Sequence, residues 1–286
     1  MQNHELNQPM DVSDQFSDSN TESLVLREYQ KELAVHALQG KNVVICAPTG
    51  SGKTIVAARI IQNHLEESSS PIKKVCFFVP TVQLVDQQCG MLKKYISEKR
   101  WRIQGLRGGE TGATSTPKVQ AMLDSHVIVL TPALLVNALN SDDDDVCRRM
   151  RIFDFSLFVF DECHHTDKDH PYTAIMNEYL NLKLGSAVLP DGQRLPQIIG
   201  LTASLGVGKS DIVADAREHI LKMCAGMDAD YLDTVKNHRE ELNKCVTLPR
   251  DELITVSSDH TSHPFSLSLQ QLMEQIEARV LTLIRE

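Results

Sequence analysis

No stretch of the sequence reaches the roughly 20 consecutive apolar residues that a membrane-spanning helix needs. Residues 1–23 contain no lysine or arginine, so the basic start of a secretory signal peptide is missing as well. The seven cysteines are odd in number and form no C-x-x-C pair, which indicates reduced core residues instead of a disulfide framework. Together these absences predict a soluble protein of the cytoplasm with no membrane span.

A positive net charge is missing too. The 286 residues carry 29 Lys and Arg against 38 Asp and Glu, a formal net charge of -9. A protein that coats nucleic acid through bulk electrostatics needs the opposite balance, although contacts from backbone N–H groups to phosphates remain open. The acid run at 142–145 indicates a solvated loop. Hydrophobic residues make up 42% of the chain, which is enough for a full core at this length.

Short apolar runs alternate with helix-like segments from Leu24 onward. The runs are rich in β-branched and other large apolar residues, as buried parallel strands are. This alternation predicts an α/β fold with a doubly wound parallel sheet, in which ligands bind beyond the carboxyl ends of the strands. The predicted strands are 43–46, 75–79, 103–106, 127–130, 157–161 and 198–201.

The first predicted strand leads into a phosphate-binding loop, Ala47-Pro48-Thr49-Gly50-Ser51-Gly52-Lys53-Thr54. It meets the pattern G-x-x-x-x-G-K-[ST] except at its first position, where Ala47 is the small residue that replaces glycine. The glycines let backbone N–H groups close around phosphate oxygens, and Lys53 places a charge on the β- and γ-phosphates. Thr54 offers a hydroxyl to Mg²⁺. The sequence therefore predicts a nucleotide-binding protein.

A second charged motif follows the apolar run at 157–160. Asp161 and Glu162 place two carboxylates at the predicted edge of the sheet. Phosphoryl transfer uses one carboxylate to hold Mg²⁺ and another to orient or deprotonate the attacking water. We therefore assign Asp161 to the metal, opposite Thr54, and Glu162 to catalysis together with Lys53.

Further motifs follow in an order that resembles the first RecA-like domain of a superfamily 2 helicase, a P-loop NTPase fold. The resemblance implies ATP as the nucleotide, with Arg27 and Gln30 in the segment that reads adenine. It implies that Thr202 and Ser204 couple ATP turnover to strand binding. It also implies contacts to the nucleic-acid backbone from Pro80, Thr81, the motif Arg107-Gly108-Gly109, Thr131 and Pro132.

Within that superfamily, Asp161-Glu162-Cys163-His164, His170-Pro171-Tyr172 and the segment 195–204 resemble RIG-I-like receptors. The segments 206–208 and 234–236 add to this likeness, which runs from about residue 24 to residue 245. Those receptors sense viral double-stranded RNA in the cytosol, so the resemblance implies an ATP-dependent RNA helicase or ATPase of innate immunity.

Two alternatives stay open at this point. One is a Dicer-type helicase domain that acts in RNA interference. The other is a nucleotide-switched RNA-binding module without turnover of its own. Translocation on DNA would use the same ATP chemistry on a different polymer, and backbone contacts say little about the sugar except at the 2′-hydroxyl.

The predicted organisation is a flexible leader at 1–23, a RecA-like ATP-binding domain at 24–239, and a linker with the start of a helical domain at 240–286. The resemblance implies a second RecA-like domain with an arginine finger and a C-terminal RNA-binding domain as partners, and it leaves room for a downstream signalling adaptor. Because that arginine is worth orders of magnitude in rate, we expect this chain alone to bind nucleotide with little turnover.

An apolar stripe predicts an amphipathic helix at Leu269, Leu272, Ile276, Val280 and Leu283.

Overall fold

The computed structural model describes residues 24–67, 73–108, 116–140, 150–165, 170–185, 189–190, 192–205, 213–247 and 264–285. Several sequence predictions lie outside these residues. They are the leader at 1–23, the acid run at 142–145, Gly109, and the segment 206–208.

Seven strands in this part of the chain form one sheet. They are β1 (Val43–Cys46), β2 (Val75–Phe78), β3 (Ile103–Leu106), β4 (Val127–Leu130), β5 (Leu157–Phe160), β6 (Gln197–Thr202) and β7 (Tyr231–Asp233). Their order across the sheet is β3-β4-β2-β5-β6-β1-β7, and every neighbouring pair runs parallel. The predicted doubly wound parallel sheet is therefore confirmed.

Helices cover both faces of the sheet. One face carries α1 (Glu28–Leu38), α2 (Lys53–Glu67), α3 (Val82–Tyr95) and α8 (Arg239–Cys245). The other carries α4 (Thr116–Asp124), α5 (Pro132–Leu139), α6 (Pro171–Leu184) and α7 (Val213–Gly226). Successive strand residues alternate between the two cores, so that Val43 and Ile45 pack under the first layer and Val44 under the second. This double burial explains why the central strands are continuous apolar runs.

The strands predicted from the sequence end with 198–201, but one further strand, β7, follows them in the structure. Strand β7 pairs with β1, with Tyr231 opposite Val43, and α8 follows it. A three-residue strand at the edge of a sheet is too short to show a hydrophobic period, and Tyr231 is exposed. The signal that predicts the inner strands is therefore absent from β7.

The chain divides into two compact units, one ending at Thr247 and one beginning at Leu248. This division lies a few residues beyond the predicted boundary at 240, because α8 packs against α1. The second unit contains α9 (Pro264–Arg285), which spans the predicted amphipathic helix. Its Leu269, Leu272 and Ile276 are each about half-exposed. No helix within the described ranges is both long and apolar enough to cross a membrane.

Candidate functional site

The phosphate-binding loop joins β1 to α2 at the carboxyl edge of the sheet. Gly50 and Gly52 have φ angles of +82° and +81°, in the left-handed region that glycine adopts without strain. A Cβ atom on Gly52 would lie 2.6 Å from Gln30 Nε2, so a side chain there would displace the Gln30 amide that bonds the loop. Helix α2 begins at Lys53, and the N–H groups of a helix's first turn lack partners within the helix. The loop therefore forms a cradle of backbone donors that suits phosphate oxygens.

Lys53 lies across this cradle. Its Nζ donates hydrogen bonds to the carbonyl oxygens of Ala47 at 2.9 Å and Pro48 at 3.4 Å. Burial lowers the pKa of the ammonium, while the charges of Glu162 and Asp161 act in the opposite direction. An ammonium has three donors, so two neutral acceptors leave one donor for an oxygen bound in the loop.

The first turn of α1 is bonded directly to the loop. Gln30 is buried, its Oε1 accepts from the Arg27 N–H at 3.1 Å, and its Nε2 donates to the Ser51 carbonyl at 3.1 Å. Tyr29 donates its hydroxyl to the same Ser51 carbonyl at 2.9 Å. Sequence reasoning found Gln30 and missed Tyr29, because the hydroxyl reaches an acceptor 22 residues away in the chain.

A cavity of about 500 Å³ lies between this segment and the loop. Its volume is in the range of small-molecule sites in proteins. Arg27 and Gln30, the two predicted adenine-reading residues, lie in its wall together with the glycines of the loop. Its other lining residues include Tyr29, Ile55, Tyr95 and Cys245.

The two predicted carboxylates follow β5, two strands away from the loop. Asp161 is 9% exposed, and its Oδ1 accepts from the Glu162 N–H at 3.1 Å. Burial, with a smaller contribution from the Glu162 charge, raises the pKa of Asp161 to about 6. A free carboxylate is costly at this position, whereas a cation bound there would offset the cost of its burial. The buried position of Asp161 therefore suits a metal ligand.

Glu162 has a φ of +51°, which a non-glycine residue adopts only where the surroundings hold it. Its Oε2 is buried and has no hydrogen-bond donor among the described residues. The Nδ1 atom of His164 lies 3.3 Å from this oxygen, without hydrogen-bond geometry. A buried acceptor in this state is available to a bound water molecule.

His164 connects the carboxylates to the end of β6. Its Nδ1 lies 2.9 Å from Thr202 Oγ1, and Thr202 donates its only hydroxyl proton to the Ser204 carbonyl at 2.5 Å. Nδ1 is therefore assigned as protonated, since Thr202 Oγ1 has no second proton to give. The predicted coupling residues Thr202 and Ser204 are thus joined to the Asp161–Glu162 motif through His164.

Tyr172, to which sequence reasoning assigned no role, lies directly behind Asp161. It is fully buried in the first turn of α6, and its hydroxyl donates to the Asp161 carbonyl at 2.7 Å. Burial raises the pKa of this hydroxyl, so it stays a proton donor. His170 caps the helix through its Nδ1, which accepts from the Tyr172 N–H at 3.2 Å, and Pro171 begins it. These helix-start signals were visible in the sequence, but the contact with Asp161 was not.

The residues implied to contact nucleic acid follow β2, β3 and β4, which are neighbours in the sheet. Thr81 is the N-cap of α3 and is exposed. Thr131 is the N-cap of α5, and Pro132 is buried in the first turn of that helix. Gly108 follows β3. These positions, together with Pro80, line the half of the carboxyl edge that the phosphate-binding loop does not use.

The residues in the half of the carboxyl edge that carries the phosphate-binding loop fit a nucleotide and Mg²⁺. The loop holds Gly50 and Gly52 at positive φ, and Ser51 Oγ is buried without a hydrogen-bond partner in the described part of the chain. Thr54 and Asp161 supply the oxygen ligands that Mg²⁺ prefers, and Mg²⁺ commonly keeps several waters beside one or two carboxylates. Within the described ranges, no group of three or more His, Cys, Asp or Glu residues is suited to a metal. The two oxygen ligands would fit a Mg²⁺ ion that keeps several waters.

The chain is similar to known proteins in family, sequence and fold. A model of the DEAD/DEAH box helicase family matches residues 27–212. The crystal structure of the Pyrococcus furiosus Hef helicase domain is similar, with a TM-score of 0.56 and 27% sequence identity, over 73% of this chain and 37% of that one.

Three curated proteins are similar in sequence. The human antiviral innate immune response receptor RIG-I is 40% identical over 266 residues, which are 92% of this chain and 28% of the receptor. The mouse ATP-dependent RNA helicase DHX58 is 36% identical over 89% of this chain and 36% of its own length. Dicer-like protein 1 of Aspergillus oryzae is 30% identical over 90% of this chain and 16% of its own length. The chain thus spans about a sixth to a third of these relatives.

Proposed function

The chain belongs to the DEAD/DEAH box helicase family, and we propose that it is the ATP-binding domain of an RNA-dependent ATPase or helicase. One observation carries the proposal. Lys53 on the loop lies within electrostatic reach of Asp161 and Glu162 at the edge of the same sheet. The loop is also bonded to Gln30 in the predicted adenine-reading segment. These contacts support a single site for the base, the phosphates and the metal.

Each residue has a distinct task in this proposal. The backbone of Pro48 to Gly52 and the Lys53 ammonium bind the phosphates of ATP, while Arg27 and Gln30 face the base. Thr54 and Asp161 would hold Mg²⁺, which supplies charge neutralisation at the phosphate oxygens during hydrolysis. Glu162 orients the attacking water through its buried, unpaired Oε2 and accepts a proton from it.

The substrate of the full-length protein is proposed from its relatives. RIG-I-like and DHX58-like proteins are similar over about nine-tenths of this chain, so we infer that the full-length protein responds to double-stranded RNA in antiviral innate immunity. The contacts to the RNA backbone would come from Pro80, Thr81, Gly108, Thr131 and Pro132. A second RecA-like domain and its arginine would complete the site, so this chain alone is proposed to turn over ATP very slowly.

The test is ATPase stimulation of the intact protein by three polymers of equal length: blunt duplex RNA, single-stranded RNA and duplex DNA. We expect strong stimulation by duplex RNA alone. Stimulation by duplex DNA to the same extent would overturn the assignment to RNA, and equal rates with and without any polymer would overturn the polymer-dependent ATPase.

A Dicer-type role is the second candidate, because Dicer-like protein 1 also matches nine-tenths of the chain. It keeps the ATP chemistry and changes the consequence of RNA binding. Processing of long duplex RNA by the intact protein into short duplexes would favour it over a sensor. RNA affinity that changes between nucleotide-free and ATP-bound protein, without turnover in any condition, would favour a nucleotide-switched binding module.

A further inference from the structure

Arg107 differs from the other residues that follow β2, β3 and β4. Among described residues 79–83, 107–108 and 131–134, it has the only positively charged side chain. Its neighbours along this edge offer hydroxyl and backbone groups. Any attraction of a polyanion by a charged group in these three segments must therefore come from Arg107.

The Asp86 carboxylate on α3 forms a salt bridge with the guanidinium of Arg107. Arg107 Nε donates to Asp86 Oδ1 at 3.2 Å, and Nη2 contacts Oδ2. The two oxygens of the carboxylate thus face one side of the guanidinium, which is the geometry that a phosphate also adopts with arginine. Both side chains are more than half exposed, at 57% and 61%. The pair is therefore open to a competing anion.

The packing of α3 on β3 fixes this arrangement. Gly105 and Arg107 point to the same face of the chain because they are two residues apart in an extended segment. A Cβ atom on Gly105 would lie 3.0 Å from Val85 Cγ1 and 3.4 Å from Cys89 Cβ. The helix consequently lies very close to the strand, and Asp86, which follows Val85, is placed beside Arg107 by two well-packed elements.

We propose that Arg107 binds a phosphate of the RNA backbone and that Asp86 masks it while no RNA is bound. Exposed ion pairs contribute little to stability, so a phosphate replaces the carboxylate at low cost. RNA binding along this edge is then a competition between two anions for one guanidinium. The inference rests on the proposed function, since it requires RNA to follow the ends of β2, β3 and β4.

The test is a salt titration of the affinity of the intact protein for a blunt duplex RNA. Asp86→Asn removes the competing charge with little change of volume, so we expect an affinity about three- to tenfold higher at low salt. The slope of log affinity against log salt should steepen by about 0.7–0.9, the value for one additional neutralised phosphate. An unchanged slope or a lower affinity would overturn the proposal that Asp86 masks Arg107.

Asp124→Asn is the matched control. Asp124 ends α4 at the opposite edge of the sheet and accepts from Gln120 Nε2 at 2.8 Å, so the variant removes the same charge far from Arg107. It should leave the slope unchanged. An equal gain in the control would show a net-charge effect and overturn the inference. In Arg107→Ala, affinity should fall, and adding Asp86→Asn should no longer steepen the slope.

RNA-stimulated ATPase activity of the same preparations separates two kinds of failure. If duplex RNA stimulates the wild type while Asp86→Asn leaves the slope unchanged, the inference about Arg107 fails and the proposed function stands. If no RNA stimulates or binds the wild type, the proposed function fails and takes the inference with it.

Discussion

The two halves of the carboxyl edge of the sheet differ in the burial and the bonding of their polar residues. Around β1, β5 and β6, the groups are buried or half-buried and bonded to one another: Lys53 to the loop, Asp161 to Glu162, and His164 to Thr202. Around β2, β3 and β4, exposure is mixed: Thr81 and Arg107 are exposed, and Pro132 is buried. Arg107 forms a salt bridge with Asp86 of α3. Hydrolysis requires fixed charges shielded from water, whereas following a polymer backbone requires only donors at the right spacing.

The largest effect should come from the loop. Lys53→Ala removes the charge that lies among Ala47, Pro48 and the two carboxylates, so ATP turnover by the intact protein should fall at least about 10³-fold. Affinity for duplex RNA should survive, because the other half of the edge is untouched. Steady-state ATPase and RNA-binding assays on one preparation measure both. Wild-type turnover in the variant would show that the loop does not bind the phosphates of ATP.

Substitutions of the two carboxylates should affect different steps. Glu162→Gln keeps the volume and removes the proton acceptor, so kcat should fall about 10²–10³-fold while Mg²⁺-dependent ATP affinity is retained. Asp161→Asn should instead weaken the Mg²⁺ dependence of ATP binding. Equilibrium binding of ATP with and without Mg²⁺ distinguishes the two variants. Identical affinity and identical turnover in both would refute the division of roles.

Substitution of Tyr172, which supports Asp161 from behind, should have a smaller effect on ATP turnover. In Tyr172→Phe, the Asp161 carbonyl loses its 2.7 Å hydrogen bond, and kcat should fall about 3- to 10-fold with little change in the KM for ATP, the equivalent of one hydrogen bond. Tyr179→Phe is the control, because Tyr179 lies on the same helix and bonds Asp228 Oδ2 at 2.9 Å, before β7. If both variants lower Tm alike and neither changes kcat, Tyr172 has only a structural role.

The sequence predicted the parts of this structure that depend on local patterns. The inner strands appear as apolar runs because both faces are buried, and the loop at 47–54 appears as a motif because its glycines and Lys53 are consecutive. The carboxylates were predictable since they follow a strand directly. In each case, the physical requirement falls within a few neighbouring residues.

The contacts that the sequence did not predict join residues far apart in the chain. Tyr29 reaches Ser51, Tyr172 reaches Asp161, and Arg107 reaches Asp86 across 21 residues. No period or spacing encodes such pairs, because they depend on which helix packs on which strand. The positive φ of Glu162 is unpredictable for the same reason, since the surrounding fold holds it.

The smallest expected effect is the salt dependence of RNA binding by this chain alone. With a net charge of -9, and with Arg107 held by Asp86, few phosphates gain a cation when RNA binds. Each neutralised phosphate contributes about 0.7–0.9 to the slope of log affinity against log salt, so a few of them give a slope far shallower than the ~-10 of a strongly basic repressor. The measurement is a titration of this chain against blunt duplex RNA over 50 to 200 mM salt, about the range in which such slopes are compared. Tight binding with a steep slope would reveal a basic surface elsewhere in the chain. It would contradict the view that charged groups are concentrated around β1, β5 and β6, while the edge around β2, β3 and β4 is nearly neutral.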